Sequence, residues 1–190
     1  MIQKNYYKAI IIGGSAGSFP VITEILANLP KDYPIPIIMC LHRLKDIREG
    51  FSEALNAKSA VLVEEPYDKQ KIKGNRVYLA PSNYHMQIEL GNTFALSTDI
   101  MVKHSRPSID VLFESAAYNY GKKAVGIILS GANSDGAQGL KTLKSKGGFA
   151  IAQDPEESRI TTMPKAAMKA TKVDKVLETK DIIRFLKKLV

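Results

Sequence analysis

The sequence predicts a doubly wound α/β fold: a mostly parallel sheet in a three-layer α/β/α arrangement, with a β-hairpin appended. Three observations lead there. Short β-branched runs alternate along the chain with segments of helical periodicity, and strands separated by crossover helices pair parallel. Two runs, 9–12 and 35–41, are apolar without a break, as expected of strands covered on both faces. The first of them ends in the turn Gly13-Gly14-Ser15-Ala16-Gly17-Ser18 and a helix follows.

That first helix carries Ile22, Ile25, Leu26 and Leu29 on one face, with Pro20 in its first turn, where a missing N–H costs nothing. After the strand 35–41 the pattern predicts a short helix at 48–57 and strands at 60–64 and 76–80. His85–Glu89 and Thr93–Ser97, joined through Gly91-Asn92, read as a hairpin. Pro107-Ser108 opens a helix whose Ile109, Leu112, Phe113 and Ala116 share a face. A strand at 124–129 and a helix at 136–146 come next, the helix stopped by Gly147-Gly148. Phe149–Gln153 is a strand, 164–170 a short helix and 173–177 an edge strand. The last helix sets Ile182, Phe185, Leu186 and Leu189 inward.

With 190 residues, no repeat and no linker-like tract, the chain reads as one domain over 1–190. A single Cys40 offers no internal disulfide, no run reaches the length of a membrane span, and the N-terminus has no signal-peptide architecture. The expectation is a cytoplasmic protein with no membrane insertion. Net charge is +8, from 27 basic and 19 acidic residues. The lysines are scattered over helical faces without interleaved aromatics, so the charge predicts no nucleic-acid partner. It fits solubility, or steering of an acidic partner.

In a doubly wound sheet the functional crevice lies beyond the carboxyl ends of the strands. Ser15, His42, His85, Asp135 and Asp154 all follow such ends. Gly13-Gly14-Ser15-Ala16-Gly17 fits G-x-S-x-G between strand and helix, a nucleophile elbow whose following N–H groups, near Ala16, could hold an oxyanion. A dinucleotide-type phosphate turn is the other use of such glycines. Here the spacing is not G-x-G-x-x-G and no acidic residue closes the second strand. His42 is placed to act as general base for Ser15, or else to cap its strand. Cys40, interior to the same strand, is expected to pack. Asp135 is placed to accept from the imidazole Nδ1–H, or to cap the helix after it, with Asp154 the rival carboxylate. The order Ser, His, Asp is not that of α/β-hydrolases, whose histidine comes last. No Cys, His or carboxylate spacing suggests a metal site, and no cofactor is expected.

Several separated motifs together carry a resemblance: IIIGGSAGS, the strand ending in His42, VYLAPSNYHMQIE, SRPSIDVLFESAA, ILSGANSDGAQGL, GGFAIAQDPEES and a late MP. Nearly the whole chain resembles the catalytic domain of the bacterial chemotaxis protein-glutamate methylesterases. The resemblance implies a Ser15–His42–Asp135 triad and hydrolysis of γ-glutamyl methyl esters on the acidic cytoplasmic helices of chemoreceptors, with glutamine deamidation as well in many relatives. Ala16 and Ala132 then stand at the oxyanion and substrate region; His85, in a shared motif, borders the site or else packs the hairpin, and Arg106 meets a substrate carboxylate or else caps its loop. The family usually has a Thr where Ala16 stands, Thr-Gly-Met-Gly where Ser130-Gly131-Ala132-Asn133 stand, and Met-Pro in place of Arg43-Leu44. It usually carries an N-terminal receiver domain too, whereas only 14 residues precede Ser15 here, so a stand-alone enzyme, or one regulated by a different partner, is expected. Two other readings remain open: a non-catalytic binding module of the same fold, motivated by Ala16 and Ala132, and an esterase or amidase for another substrate.

Overall fold

The computed structural model describes residues 6–42 and 50–190. The strands β1 (Ala9–Gly14), β2 (Ile37–Leu41), β3 (Val63–Glu64), β4 (Val77–Leu79), β7 (Ala124–Ile128), β8 (Phe149–Gln153) and β9 (Lys175–Leu177) form a seven-stranded sheet ordered β3-β4-β2-β1-β7-β8-β9. Every pairing in it is parallel. β5 (His85–Glu89) and β6 (Thr93–Ser97) stand apart as an antiparallel hairpin.

Side chains alternate across the central strands and separate two cores. Ile10 and Ile12 of β1 point into one cluster, which takes in α1 (Phe19–Asn28), α2 (Phe51–Asn56) and α6 (Thr179–Lys187). Ala9 and Ile11 point into the other, shared by the hairpin, α3 (Ile109–Tyr120), α4 (Ala137–Ser145) and α5 (Thr162–Ala170). All four of these β1 residues are fully buried; each isoleucine so buried contributes about 1.5–3 kcal/mol. The uninterrupted apolar runs thus reflect cover on both faces. The strand order reverses between β1 and β7, which opens the crevice of a doubly wound sheet at their carboxyl ends.

Several boundaries are shorter than the sequence pattern predicts, for local reasons. β2 starts at Ile37 because Pro36 has no N–H to give the ladder. β3 begins only at Val63, since the Val61 N–H is taken by Ser59 Oγ at 3.1 Å and the Val61 carbonyl by the same hydroxyl at 2.6 Å. β9 begins at Lys175 because Asp174 uses its carboxylate on the Ala150 N–H and on Lys144. The helix expected at 48–57 is observed as α2; its expected start at Arg48, like Arg43-Leu44, lies outside the described residues.

One connection departs from the crossover-helix rule. β3 and β4 pair parallel although residues 65–76 between them hold no helix. That segment runs along the hairpin instead: Lys69 N–H and Ile72 N–H donate to the Phe94 and Asn92 carbonyls, and Phe94 N–H donates to the Gln70 carbonyl. The hairpin in turn is fixed to α3, where Ser115 Oγ accepts from Ile88 N–H and Asn119 donates to the Ile88 carbonyl.

Candidate functional site at the carboxyl end of the sheet

Ser15 leaves β1 directly above the strand reversal. Its N–H donates to the Ser130 carbonyl at 3.0 Å, and its carbonyl accepts from Ser18 N–H at 3.0 Å and Ser18 Oγ at 2.7 Å. The backbone is therefore clamped while the half-buried side chain makes no hydrogen bond among the described residues. Gly17 closes this turn at φ +87°, a left-handed conformation that L side chains rarely adopt. Neither the Ala16 nor the Gly17 N–H donates to another described residue, and Ala16 is exposed. Two backbone donors in the turn just after Ser15 are thus left without a partner among the described residues. Ala132 is exposed on the β7–α4 loop.

The parallel register sets Gly14 opposite Leu41, and His42 N–H donates to the Gly14 carbonyl at 3.1 Å. Ser15 and His42 are therefore the next residues on neighbouring strands, which run about 4.8 Å apart. His42 Nε2 meets Asp135 Oδ2 at 2.8 Å. This corrects the expected use of Nδ1. Asp135 lies on the loop after β7 and is buried, so the ring turns Nε2 into the protein and leaves Nδ1 as the nitrogen without a described partner.

Asp135 is fully buried and collects five hydrogen bonds. Oδ2 takes His42 Nε2 and the Ile109 N–H at 2.7 Å. Oδ1 takes Ser108 Oγ and the Asp110 N–H, both at 3.0 Å, and the Gly136 N–H at 3.1 Å. The helix it caps is α3, earlier in the chain, and not α4, which follows it and has Gly136 at its N-cap. Free N–H groups and the positive end of the α3 dipole favour an anion there. Burial raises the carboxyl's pKa, but the His42 bond and the Ile109 and Asp110 N–H bonds outweigh it and hold Asp135 below the ordinary aspartate range. Because Asp135 is then an acceptor only, His42 Nε2 carries the proton between them and the neutral ring is basic at Nδ1.

The other sequence-selected residues fall into different places. Asp154 uses Oδ1 on the Glu156 N–H and has no bond to His42. Cys40 is buried within the core cluster around α3. His85 is buried, donates through Nε2 to the Ile100 carbonyl at 3.0 Å and accepts the Ser108 N–H at Nδ1 at 3.2 Å. It packs the hairpin, and it also pins Ser108, one bond from Asp135. Arg106 spends its guanidinium on Asn83 Oδ1 and on the Thr98 and Asp99 carbonyls, tying loops together. Among the described residues no three His, Cys, Asp or Glu side chains converge as metal ligands.

Three residues in the site were not singled out by sequence reasoning. Ser108 stands in the sequence only as a helix opener, yet its hydroxyl donates to Asp135 and accepts from Val111 N–H. Ser130 Oγ, fully buried, shares its one proton between the Ala16 and Ile160 carbonyls and accepts the Ile160 N–H, joining the Ser15 turn to the 154–161 loop. Met163 presses so closely on Gly131 that a Cβ there would lie 2.6 Å from Met163 Cε and 3.0 Å from Ser15 Cβ. Only a glycine lets that thioether sit beside Ser15. Ser130, Gly131 and Met163 all lie in the quoted motifs; what the sequence lacked was their mutual proximity.

Comparisons with known proteins identify the family and the fold. The CheB methylesterase family matches residues 10–186. A putative protein-glutamate methylesterase/protein-glutamine glutaminase of Leptospira interrogans is 45% identical over 176 residues, covering 93% of this chain and 91% of that protein. The protein-glutamate methylesterase/protein-glutamine glutaminase of Methanococcus maripaludis is 38% identical, covering 95% of this chain but only 52% of its own length. The crystal structure of the Thermotoga maritima CheB methylesterase catalytic domain superposes with a TM-score of 0.92 at 31% identity, over 97% of this chain and 99% of that one. The chain belongs to the CheB methylesterase family.

Proposed function

We propose that this chain is a serine hydrolase that removes methyl esters from glutamyl side chains of chemoreceptors, through Ser15, His42 and Asp135. The observation that carries the reading is the 2.8 Å bond from His42 to the buried Asp135, in register beside Ser15. In the reaction His42 Nδ1 takes the Ser15 hydroxyl proton as Oγ attacks the ester carbonyl. The Ala16 and Gly17 N–H groups stabilise the oxyanion, and Asp135 stabilises the imidazolium through Nε2. Collapse expels methoxide, which leaves as methanol with the proton from Nδ1. Water, deprotonated by the same nitrogen, then hydrolyses the acyl-enzyme to Ser15 and a glutamate carboxylate. Tightening of the Ser15–His42 contact belongs to the substrate complex, as is common for nucleophile–base pairs.

The names of the two relatives include glutaminase activity, and the same acyl-enzyme forms from a glutamine amide with ammonia as the leaving group. His42 Nδ1 would supply its proton equally. The test is methanol release from methyl-esterified chemoreceptor by the wild type and by Ser15→Ala. Release by the wild type alone is expected; equal release by both contradicts the proposed nucleophile.

A further inference from the structure

Arg159 stands out as a cation that the mechanism does not use. Its side chain lies across Gly17: a Cβ on that glycine would be 2.9 Å from Arg159 Cβ and 3.3 Å from Arg159 Cδ. The residue is exposed, and its guanidinium has no hydrogen bond or ion pair among the described residues. Its backbone position is nevertheless fixed. Ile160, next to it, is held at both N–H and carbonyl by Ser130 Oγ, the same hydroxyl that holds the Ala16 carbonyl, and its carbonyl also accepts the Gly131 N–H. One buried serine thus sets the arginine and the Ser15 turn relative to each other.

Gly17 is two residues from Ser15, so their backbones lie within about 7 Å. The Arg159 stem, packed on Gly17, is thus on the order of one helical turn from the Ser15 backbone, i and i+4 side chains on a helix having Cβ atoms about 5–6 Å apart. Guanidinium is a fixed fork of donors matched to a carboxylate. Resting on the esterase reading above, we infer that Arg159 determines specificity by binding a carboxylate one turn away from the reacting glutamyl ester on the same face of the substrate helix. The net charge of +8 helps gather such an acidic helix.

The test compares two methyl-esterified helical peptides, with Glu or with Met both four residues before and four residues after the esterified glutamate. Methanol release gives kcat/KM for each. The wild type is expected to favour the Glu peptide about three- to tenfold, the range of a partly exposed charge-assisted pair, with the preference carried in KM and shrinking as salt is raised. Arg159→Gln brings the ratio to about one, Arg159→Lys keeps part of it, and Arg159→Glu takes it below one. A purely structural role would lower both rates together and keep the ratio. A wild-type ratio of one, or a ratio surviving in Arg159→Gln, overturns the inference while leaving the esterase reading intact. Release from neither peptide by the wild type overturns both.

Discussion

Ser15 and Asp135 sit at the ends of adjacent strands of one sheet, yet their surroundings are opposite. Asp135 has no exposed surface and five hydrogen bonds, three of them from α3 and its cap. Ser15 is half-buried, and its hydroxyl has no bond among the described residues while its backbone is clamped on both sides. The contrast separates two requirements. The group that must hold an imidazole in one tautomer is built into the core, where neighbours fix it. The group that, on the proposed mechanism, meets the substrate is held by its main chain alone and left open above the crevice. A cleft of about 640 Å³ does exist elsewhere, lined by Tyr7, Ile35, Ile72, Tyr120 and Lys123, at the amino ends of β1 and β7. It is remote from Ser15 and plays no part in this division.

If the division is real, mutations at the two residues should separate rate from stability. Ser15→Ala should lower turnover by at least about 10⁴-fold, as loss of a nucleophile does. Its thermal unfolding should stay within about 0.5 kcal/mol of wild type, because no side-chain bond is lost. Asp135→Ala should damage both properties. Without the carboxylate, Ser108 Oγ and the Ile109 and Asp110 N–H groups are buried without an acceptor, and the expected cost in denaturant unfolding is about 3–5 kcal/mol.

Acid sharpens the same contrast. The Asp135 pKa is lower in the folded protein than in the unfolded chain, so its charge stabilises the fold above the unfolded value. That stabilisation is lost as pH falls through the folded value. The stability gap between wild type and Asp135→Asn should therefore be full at neutral pH and close only below about pH 4. A gap that closes near neutrality would break the account of the cradle.

Smaller effects are expected one bond further out. Ser108→Ala removes a donor to Asp135 and the side-chain cap of α3, which should cost about 1–2 kcal/mol and lower kcat more than it raises KM. The smallest change is expected at Arg106, whose donors serve the Asn83, Thr98 and Asp99 loops. Arg106→Gln should cost about 1 kcal/mol of stability and leave the ratio between the Glu and Met peptides where it stands in the wild type.

The sheet was legible in the sequence because burial on both faces writes continuous apolar runs. The order of its strands was not, since the runs at 60–64 and 76–80 carry no sign of which edge they join. The helix-free β3–β4 connection was hidden for a related reason: its cover is the hairpin, reached by backbone bonds that any side chains allow. At the site, residue types and chain order brought out Ser15, His42 and Asp135. Orientation stayed out of reach, because the choice of Nε2 depends on Asp135 serving the N-terminus of α3, a helix it neither precedes nor belongs to. Arg106 shows the converse limit. An arginine beside a site motif suggests a ligand, and only the loops around it reveal that its donors are already engaged.

The central claim is that the His42–Asp135 pair activates an open Ser15. A fluorophosphonate, followed by peptide mass spectrometry over time, tests it most directly. The account predicts an adduct on Ser15 in the wild type, formed at least about 100-fold more slowly in Asp135→Asn, where the tautomer is no longer held. No adduct on Ser15, or equal rates in the two proteins, would contradict it.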